Sequence, residues 1–182
     1  GKKVVLYAPT HRQEGKIVFP LRKQFDFEKL NQWCVEHNMV FVIRRHFYHK
    51  NEEVDFSMYS NITDITKKSM DIQEILMDTD ILISDYSSTY IDYLLLDRPL
   101  IFYNFDYEDY LQNDREMYYD YDEVTPGYKA ATFDELMTEL DSIAKDEDHF
   151  VEERQRVRDL FYCKDGQQMV GEKLLEFLKN IK

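Results

Sequence analysis

The hydrophobic positions of this chain fall into short apolar runs separated by longer amphipathic stretches. The apolar runs are rich in β-favouring residues and predict five strands, near residues 3–8, 39–44, 62–66, 80–84 and 99–103. Helical spacing between them predicts helices over 25–38 and 70–77 and places Trp33 in the core. Strands that alternate with helices indicate an α/β domain, a doubly wound, Rossmann-like parallel sheet.

The last third of the chain reads as helical scaffold. Thr132 followed three residues later by Glu135 is the pattern of a capping box and predicts the start of a helix. Amphipathic helices are also expected over 148–161 and 166–181. In the last helix we expect the apolar residues to pack into the core, because they recur at core spacing: Val170, Leu174, Leu175, Leu178 and Ile181.

The segment 80–103 carries the clearest chemical signal. Its strand ends abruptly in small polar residues, and three consecutive hydroxyl residues then precede a predicted helix through Leu95: Ser87, Ser88 and Thr89. Hydroxyls and unpaired amides at such a turn can hold a phosphate. Capping alone explains most turns of this kind, but three hydroxyls exceed what one cap needs.

Two carboxylates, Asp85 and Asp92, flank this hydroxyl turn. A carboxylate repels a phosphate, so we expect them to orient a hydroxyl or a backbone amide, or to bind a sugar-like hydroxyl or a metal.

Cationic residues follow two other predicted strands. The second strand ends in Arg44-Arg45-His46, and the first is followed by Thr10, His11 and Arg12. Parallel strands end at one edge of the sheet, so these side chains are expected near the hydroxyl turn. Arg can clamp a phosphate and His can donate a proton to it. The alternatives are a solvated arginine and a structural histidine; His49 is a weaker candidate.

Composition narrows the classes of partner. The chain has 182 residues, of which 43% are hydrophobic, enough for one domain with a substantial core. Its net charge of -13 argues against nucleic acid and anionic lipid as unaided partners, so any phosphate site must be local. Cys34 and Cys163 lie far apart without metal-ligand spacing, which favours a reducing compartment. No apolar run approaches the ~20 residues needed to span a bilayer.

The span 104–128 is dense in tyrosine and acidic residues. This composition suits a rim or lid over a ligand, where tyrosines stack on a base, although we expect most of these tyrosines only to cover the surface.

These motifs together resemble the CDP-glycerol glycerophosphotransferases, the teichoic acid and capsule polymerases. The resemblance rests on segments in the same order along nearly the whole chain: Leu6-Tyr7-Ala8-Pro9-Thr10 with Arg12, His46, Ile83-Ser84-Asp85-Tyr86-Ser87-Ser88 with Asp92, Arg98-Pro99-Leu100-Ile101-Phe102-Tyr103 with Asp106 and Tyr110, and Pro126-Gly127. An Asp165-Gly166 pair before the closing helix is also similar. In that family His-Pro ends the second strand, whereas Phe47 follows His46 here.

The resemblance implies the C-terminal half of a GT-B fold, with residues 1–182 forming a single nucleotide-donor-binding domain of a larger two-domain transferase. Gly1 followed directly by a strand fits such an excised domain. The implied reaction moves glycerol-phosphate, or a similar polyol-phosphate, from a CDP-activated donor to the hydroxyl end of a teichoic-acid-like or capsule polymer and releases CMP. His46 is then the catalytic residue, and the donor-binding residues are Thr10, Arg12, Arg44, Arg45, Asp85, Ser87, Ser88, Thr89, Asp92, Glu123 and Gly127.

The implied partners are a CDP-polyol, a polymer or lipid-linked acceptor, and an N-terminal acceptor domain, at the inner face of a bacterial membrane. No metal ligand set is predicted, and Mg²⁺ is left open. Because the other domain helps to form the acceptor side, the chain alone is expected to be inactive. Two readings stay open: a GT-B glycosyltransferase domain that uses a nucleotide sugar, and a non-catalytic nucleotide-binding module.

Overall fold

A single parallel sheet organises the chain. The computed structural model describes residues 1–12, 20–46, 54–114, 117–162 and 170–181. Within them lie six strands: β1 (Lys3–Tyr7), β2 (Met39–Ile43), β3 (Ile62–Asp64), β4 (Ile81–Ser84), β5 (Leu100–Tyr103) and β6 (Tyr128–Ala130). Their order is β3-β2-β1-β4-β5-β6, and every neighbouring pair is parallel. The predicted doubly wound α/β fold and its five strands are therefore confirmed, and β6 was missed.

Helices cover both faces of the sheet. They are α1 (Leu21–Gln24), α2 (Phe27–Glu36), α3 (Ile72–Met77), α4 (Thr89–Tyr93), α5 (Tyr107–Asn113), α6 (Tyr121–Val124), α7 (Phe133–Ala144), α8 (Val151–Phe161) and α9 (Val170–Asn180). A 3₁₀ turn, Leu94–Leu96, continues α4.

The core has two layers because successive strand residues point to opposite faces. On β1, Val5 and Tyr7 pack with α2 and α7, whereas Leu6 packs with α3, α4 and α8. Trp33 is buried as predicted, and its indole N–H donates to Asp141 of α7 at 2.5 Å.

A buried arginine attaches α8 to the sheet. Arg154 is 1% exposed, and its guanidinium contacts Asp148 at 2.7 Å and Asp97, in the connection before β5, at 3.0 Å.

The prediction for the last helix was wrong in one respect. The helix is present, but its apolar residues Leu174, Leu175, Leu178 and Ile181 are each more than half exposed. Periodicity identifies an apolar face and does not say what that face packs against. The side chain of Val170 and the residues Phe47, His49, Cys163, Asp165 and Gly166 lie outside the described part of the chain.

Candidate functional site

A cleft of about 780 Å³ opens at the carboxyl ends of β1, β2 and β4. Its lining includes the loops that follow these strands, at residues 8–11, 44–46 and 86–91. Strands β1 and β4 are neighbours from which the chain winds in opposite directions, and ligands of open α/β sheets bind at this switch point. The sequence-based expectation that the three polar segments meet at one sheet edge is met by this arrangement.

The hydroxyl turn differs from a standard cap. Ser88 occupies the N-cap position of α4 but has a helical backbone conformation and makes no capping bond with its side chain. Instead Ser87 Oγ accepts the amide of Thr89 at 3.3 Å and donates to Thr89 Oγ1 at 2.9 Å. The α-helical part ends at Tyr93, and the 3₁₀ turn Leu94–Leu96 carries the helical run past Leu95, as predicted. Because the α-helical part has only five residues, its dipole is small.

The two predicted arginines are used differently. Arg45 is buried, and its Nη2 donates to Asp64 at 3.1 Å while its amide donates to Thr66 Oγ1 at 3.0 Å. Arg44 donates from Nη1 to the carbonyl of Arg45 at 2.9 Å, and its buried Nε has no hydrogen-bond partner among the described residues. Both line the cleft, and Arg44 retains donor capacity there.

His46 lies at the end of the same segment and also lines the cleft. Its ring centroid is 4.4 Å from that of His11, with 35° between the ring planes. Nearby in the lining, the buried Thr10 Oγ1 has no partner among the described residues. Buried hydroxyls are normally satisfied, so this atom is a candidate for a ligand contact.

Arg12 and Asp85 are not among the cleft-lining residues. Arg12 contacts Asp85 at 2.9 Å and Asp106 at 2.6 Å, and Asp85 accepts the amides of Thr10 and Tyr86 at 2.8 and 2.6 Å. Burial raises the pKa of Asp85, whereas Arg12 and the two amides work against that rise. The contacts observed for Arg12 and Asp85 are with other residues of the protein. Their predicted contact with a CDP-activated donor stays a prediction.

Tyrosines form much of the remaining lining. Tyr86 stacks on Tyr110 with ring centroids 3.9 Å apart, and Tyr121 lies 5.6 Å from Tyr86. Tyr110 and Tyr121 are buried, whereas Tyr118 and Tyr119 are exposed at the cleft. The expectation that most tyrosines of this span cover the surface therefore holds for Tyr118 and Tyr119 and does not extend to Tyr110 and Tyr121.

Besides Arg12 and Asp85, three more of the predicted donor-binding residues lie outside the lining. Asp92 accepts from Tyr162 Oη at 3.0 Å and Gln73 Nε2 at 3.3 Å, and Glu123 is exposed on α6. Gly127 packs against Leu100 of β5. Their donor roles stay predictions.

Two residues that line the cleft were not predicted as site residues. They are Met117 and Phe161, the latter at the end of α8. Phe161 packs against Tyr119 with ring centroids 5.6 Å apart. An apolar residue at the end of an amphipathic helix carries no signal that separates a cleft wall from core.

The described residues contain neither a metal-ligand cluster nor a membrane-spanning helix. No group of three or more His, Cys, Asp or Glu side chains is placed there to hold a metal ion. No helix in the same part of the chain has the length and apolarity needed to cross a membrane.

A doubly wound sheet with arginines, hydroxyls and aromatic rings around its switch point has the arrangement found in many nucleotide-binding α/β domains. Residues 1–178 match the sequence profile of the CDP-Glycerol:Poly(glycerophosphate) glycerophosphotransferase family, and the chain belongs to that family.

Relatives and solved structures agree with this assignment. Teichoic acid ribitol-phosphate polymerase TarK of Staphylococcus aureus is 38% identical over 155 residues, 84% of this chain and 29% of TarK. The wall teichoic acid polymerase TagF, H444N variant, superposes with a TM-score of 0.76 at 30% identity, over 98% of this chain and 44% of that one. The same variant soaked with CDPG gives 0.74 at 27% identity, over 98% and 43%.

A glycosyltransferase of kitacinnamycin shares the fold alone, with a TM-score of 0.61 at 13% identity over 97% of this chain and 43% of that one. The chain therefore spans less than half the length of these relatives.

Proposed function

We propose that this chain is the donor-binding domain of a transferase that moves glycerol-phosphate, or a similar polyol-phosphate, from a CDP-activated donor to the hydroxyl end of a teichoic-acid-like polymer. The observation that carries the proposal is the meeting of Arg44, His46 and the hydroxyl turn at one cleft in a chain with a net charge of -13. Positive charge concentrated there supplies a local site for a diphosphate.

The two ends of a CDP-polyol match different parts of the lining. The diphosphate fits the arginines, His46 and the hydroxyls of residues 87–89. The cytosine ring fits the aromatic lining around Tyr118 and Tyr119, where a flat base can stack. Thr10 Oγ1 and Arg44 Nε, which lack partners among the described residues, would gain them from phosphate oxygens.

The reaction follows the general pattern of phosphoryl transfer. The acceptor hydroxyl gives its proton to a base outside this chain, and its oxygen forms a bond to the β-phosphorus. The bond from that phosphorus to the bridging oxygen breaks, and CMP departs with the bonding electrons. Arg44 and the hydroxyl turn stabilise charge on the non-bridging oxygens. His46 donates a hydrogen bond or a proton to the departing phosphate of CMP.

The acceptor side belongs to the remainder of the longer protein. We propose that an N-terminal domain and a polymer or lipid-linked acceptor complete the reaction at the inner face of a bacterial membrane. The 182-residue chain then binds donor without transferring it, and turnover by this chain alone would contradict that part of the proposal.

Calorimetric titration tests donor binding directly. We expect saturable binding of CDP-glycerol or CDP-ribitol, weaker binding of CMP, and none of UDP-glucose. His46→Ala should weaken CDP-polyol binding about tenfold to a hundredfold, which corresponds to the loss of one hydrogen bond to a charged group.

His149→Ala is the matched control, because His149 is exposed and is not part of the cleft lining. Its affinity should equal that of the wild type. Binding of UDP-glucose alone would favour a nucleotide-sugar glycosyltransferase, and binding of none of the four ligands would contradict the proposal. If His46→Ala leaves the affinity for the CDP-polyol unchanged, the proposed role of His46 in donor binding is wrong.

A further inference from the structure

Three buried charges connect the loops that follow three neighbouring strands. Arg12 follows β1, Asp85 follows β4, and Asp106 follows β5; their side chains are 6%, 1% and 6% exposed. Arg12 Nε donates to Asp106 Oδ2 at 2.6 Å, and Arg12 Nη2 lies 2.9 Å from Asp85 Oδ2. The network therefore fixes three loops relative to one another at the strand ends.

All three nitrogens of the Arg12 guanidinium take part in this network. Besides its bonds to the two carboxylates, Nη1 donates to the carbonyl of Thr10 at 2.7 Å. The rings of Tyr86 and Tyr110 lie 5.0 and 5.2 Å from its guanidinium carbon. Burial lowers the pKa of Arg12, but Asp85 and Asp106 outweigh it and the net shift is upward, so the guanidinium stays charged.

Thr10 is held on both sides of its backbone. Its amide donates to Asp85 Oδ1 at 2.8 Å, and its carbonyl accepts from Arg12. Thr10 is a lining residue of the cleft, and its hydroxyl oxygen is buried without a partner among the described residues. The network thus fixes the Thr10 backbone, while the side-chain hydroxyl keeps its hydrogen-bonding capacity unused by the described residues.

We propose that Arg12 is a positioning residue, which acts through Asp85 and the Thr10 backbone to present the Thr10 hydroxyl to the donor phosphates. The inference rests on the proposed function. In it, Arg12 and Asp85 do not touch the CDP-activated donor but position the residue that does. A buried ion pair adds little net stability, because desolvation offsets the attraction. The main effect of the network is therefore geometric, and the fork of Arg and its flat faces suit it better than Lys does.

The test compares Arg12→Lys with Arg154→Lys. Arg154 is an equally buried arginine that bridges two carboxylates, Asp97 and Asp148, and it is not part of the cleft lining. We expect both variants to unfold at lower urea concentration. Only Arg12→Lys should speed hydrogen exchange at the Thr10 amide, followed by NMR, and weaken CDP-glycerol binding about tenfold to a hundredfold.

A double-mutant cycle shows whether Arg12 acts through Thr10. Thr10→Val removes the hydroxyl and keeps the shape, so it should weaken CDP-glycerol binding as well. The double variant should lose little more than either single one, because the two changes remove the same contact. Additive losses would overturn the inference, and so would normal affinity in Arg12→Lys.

The outcomes separate this inference from the proposed function. Unchanged Thr10 exchange in Arg12→Lys overturns positioning without any ligand. A wild-type chain that binds no CDP ligand contradicts the proposed function and, with it, the donor half of the inference. If Arg12→Lys does not fold, Asp106→Asn removes one charged partner of Arg12, and faster Thr10 exchange is expected there too.

Discussion

Gly127 shows why a single residue type is needed at the entry to β6. A Cβ atom built there would lie 2.5 Å from the carbonyl oxygen of Leu100 and 2.9 Å from its Cβ. Backbone atoms of β5 cannot give way to that contact without moving the strand. The sequence analysis predicted that Gly127 binds the CDP-activated donor. The close packing of Gly127 against β5 already explains why a glycine is needed there.

We therefore expect Gly127→Ala to lower the free energy of unfolding by about 1–3 kcal/mol, the usual effect of overpacking. Urea unfolding measures it. Gly171→Ala on α9 is the control, because nothing lies within 4 Å of the added methyl group and alanine favours a helix. A Gly127→Ala variant with normal stability but weakened donor binding would restore the original assignment.

At the scale of elements, two helix starts that look alike in sequence behave differently. In α7 the predicted capping box is confirmed: the Glu135 amide donates to Thr132 Oγ1 at 3.3 Å, and the Thr132 amide donates to Glu135 Oε2 at 3.3 Å. In α4 the N-cap Ser88 makes no such bond. A hydroxyl in the right place thus predicts a cap only where its backbone is extended.

Thr132→Ala should accordingly lower the free energy of unfolding by about 1 kcal/mol, the usual contribution of an N-cap. The matched change Ser88→Ala removes a hydroxyl at an N-cap position without removing a capping bond, so its effect should stay within about 0.5 kcal/mol. Thermal or urea unfolding of both variants decides the matter. Equal losses would mean that Ser88 caps α4 in solution.

For the molecule as a whole, buried tyrosines set a limit at alkaline pH. Burial raises the pKa of Tyr90 and Tyr103 from the ordinary 10.0 to about 12, with Glu135 adding to the rise at Tyr103. The unfolded chain ionises these phenols first, and proton release then favours unfolding. Stability linked to them is complete below pH 10 and is lost as the pH rises toward 12.

We expect the free energy of unfolding to fall by about 1 kcal/mol per such tyrosine between about pH 10 and pH 11. Urea unfolding over that range measures the loss, and tyrosinate absorbance of the folded protein should lag behind that of the chain in denaturant. Coincident titration of the folded and unfolded chains would contradict the burial described here.

The sequence predicted the architecture better than the detail. Apolar runs revealed five strands. Strand β6 was missed because it has only three residues, with exposed Lys129 in the middle, and begins at the end of the span that was predicted to be a polar rim. The meeting of the polar residues that follow β1, β2 and β4 was predictable, because the carboxyl ends of parallel strands lie at one edge of the sheet. The place of Phe161 was not predictable, because tertiary packing alone brings the end of α8 to the cleft. The apolar face of α9 was wrongly assigned to the core, because helical spacing identifies an apolar face but does not show what packs against it.

The strand order also has a kinetic consequence. Strand β1 pairs with β2, where Val5 lies beside Phe41, and with β4, where Val5 lies beside Ile81. The cleft needs both pairings, and the second joins residues far apart along the chain, so loop closure must precede it. Parallel pairing of this kind raises the contact order and slows folding. In a refolding experiment, binding competence should therefore be recovered only with the last cooperative step, after local helices have formed.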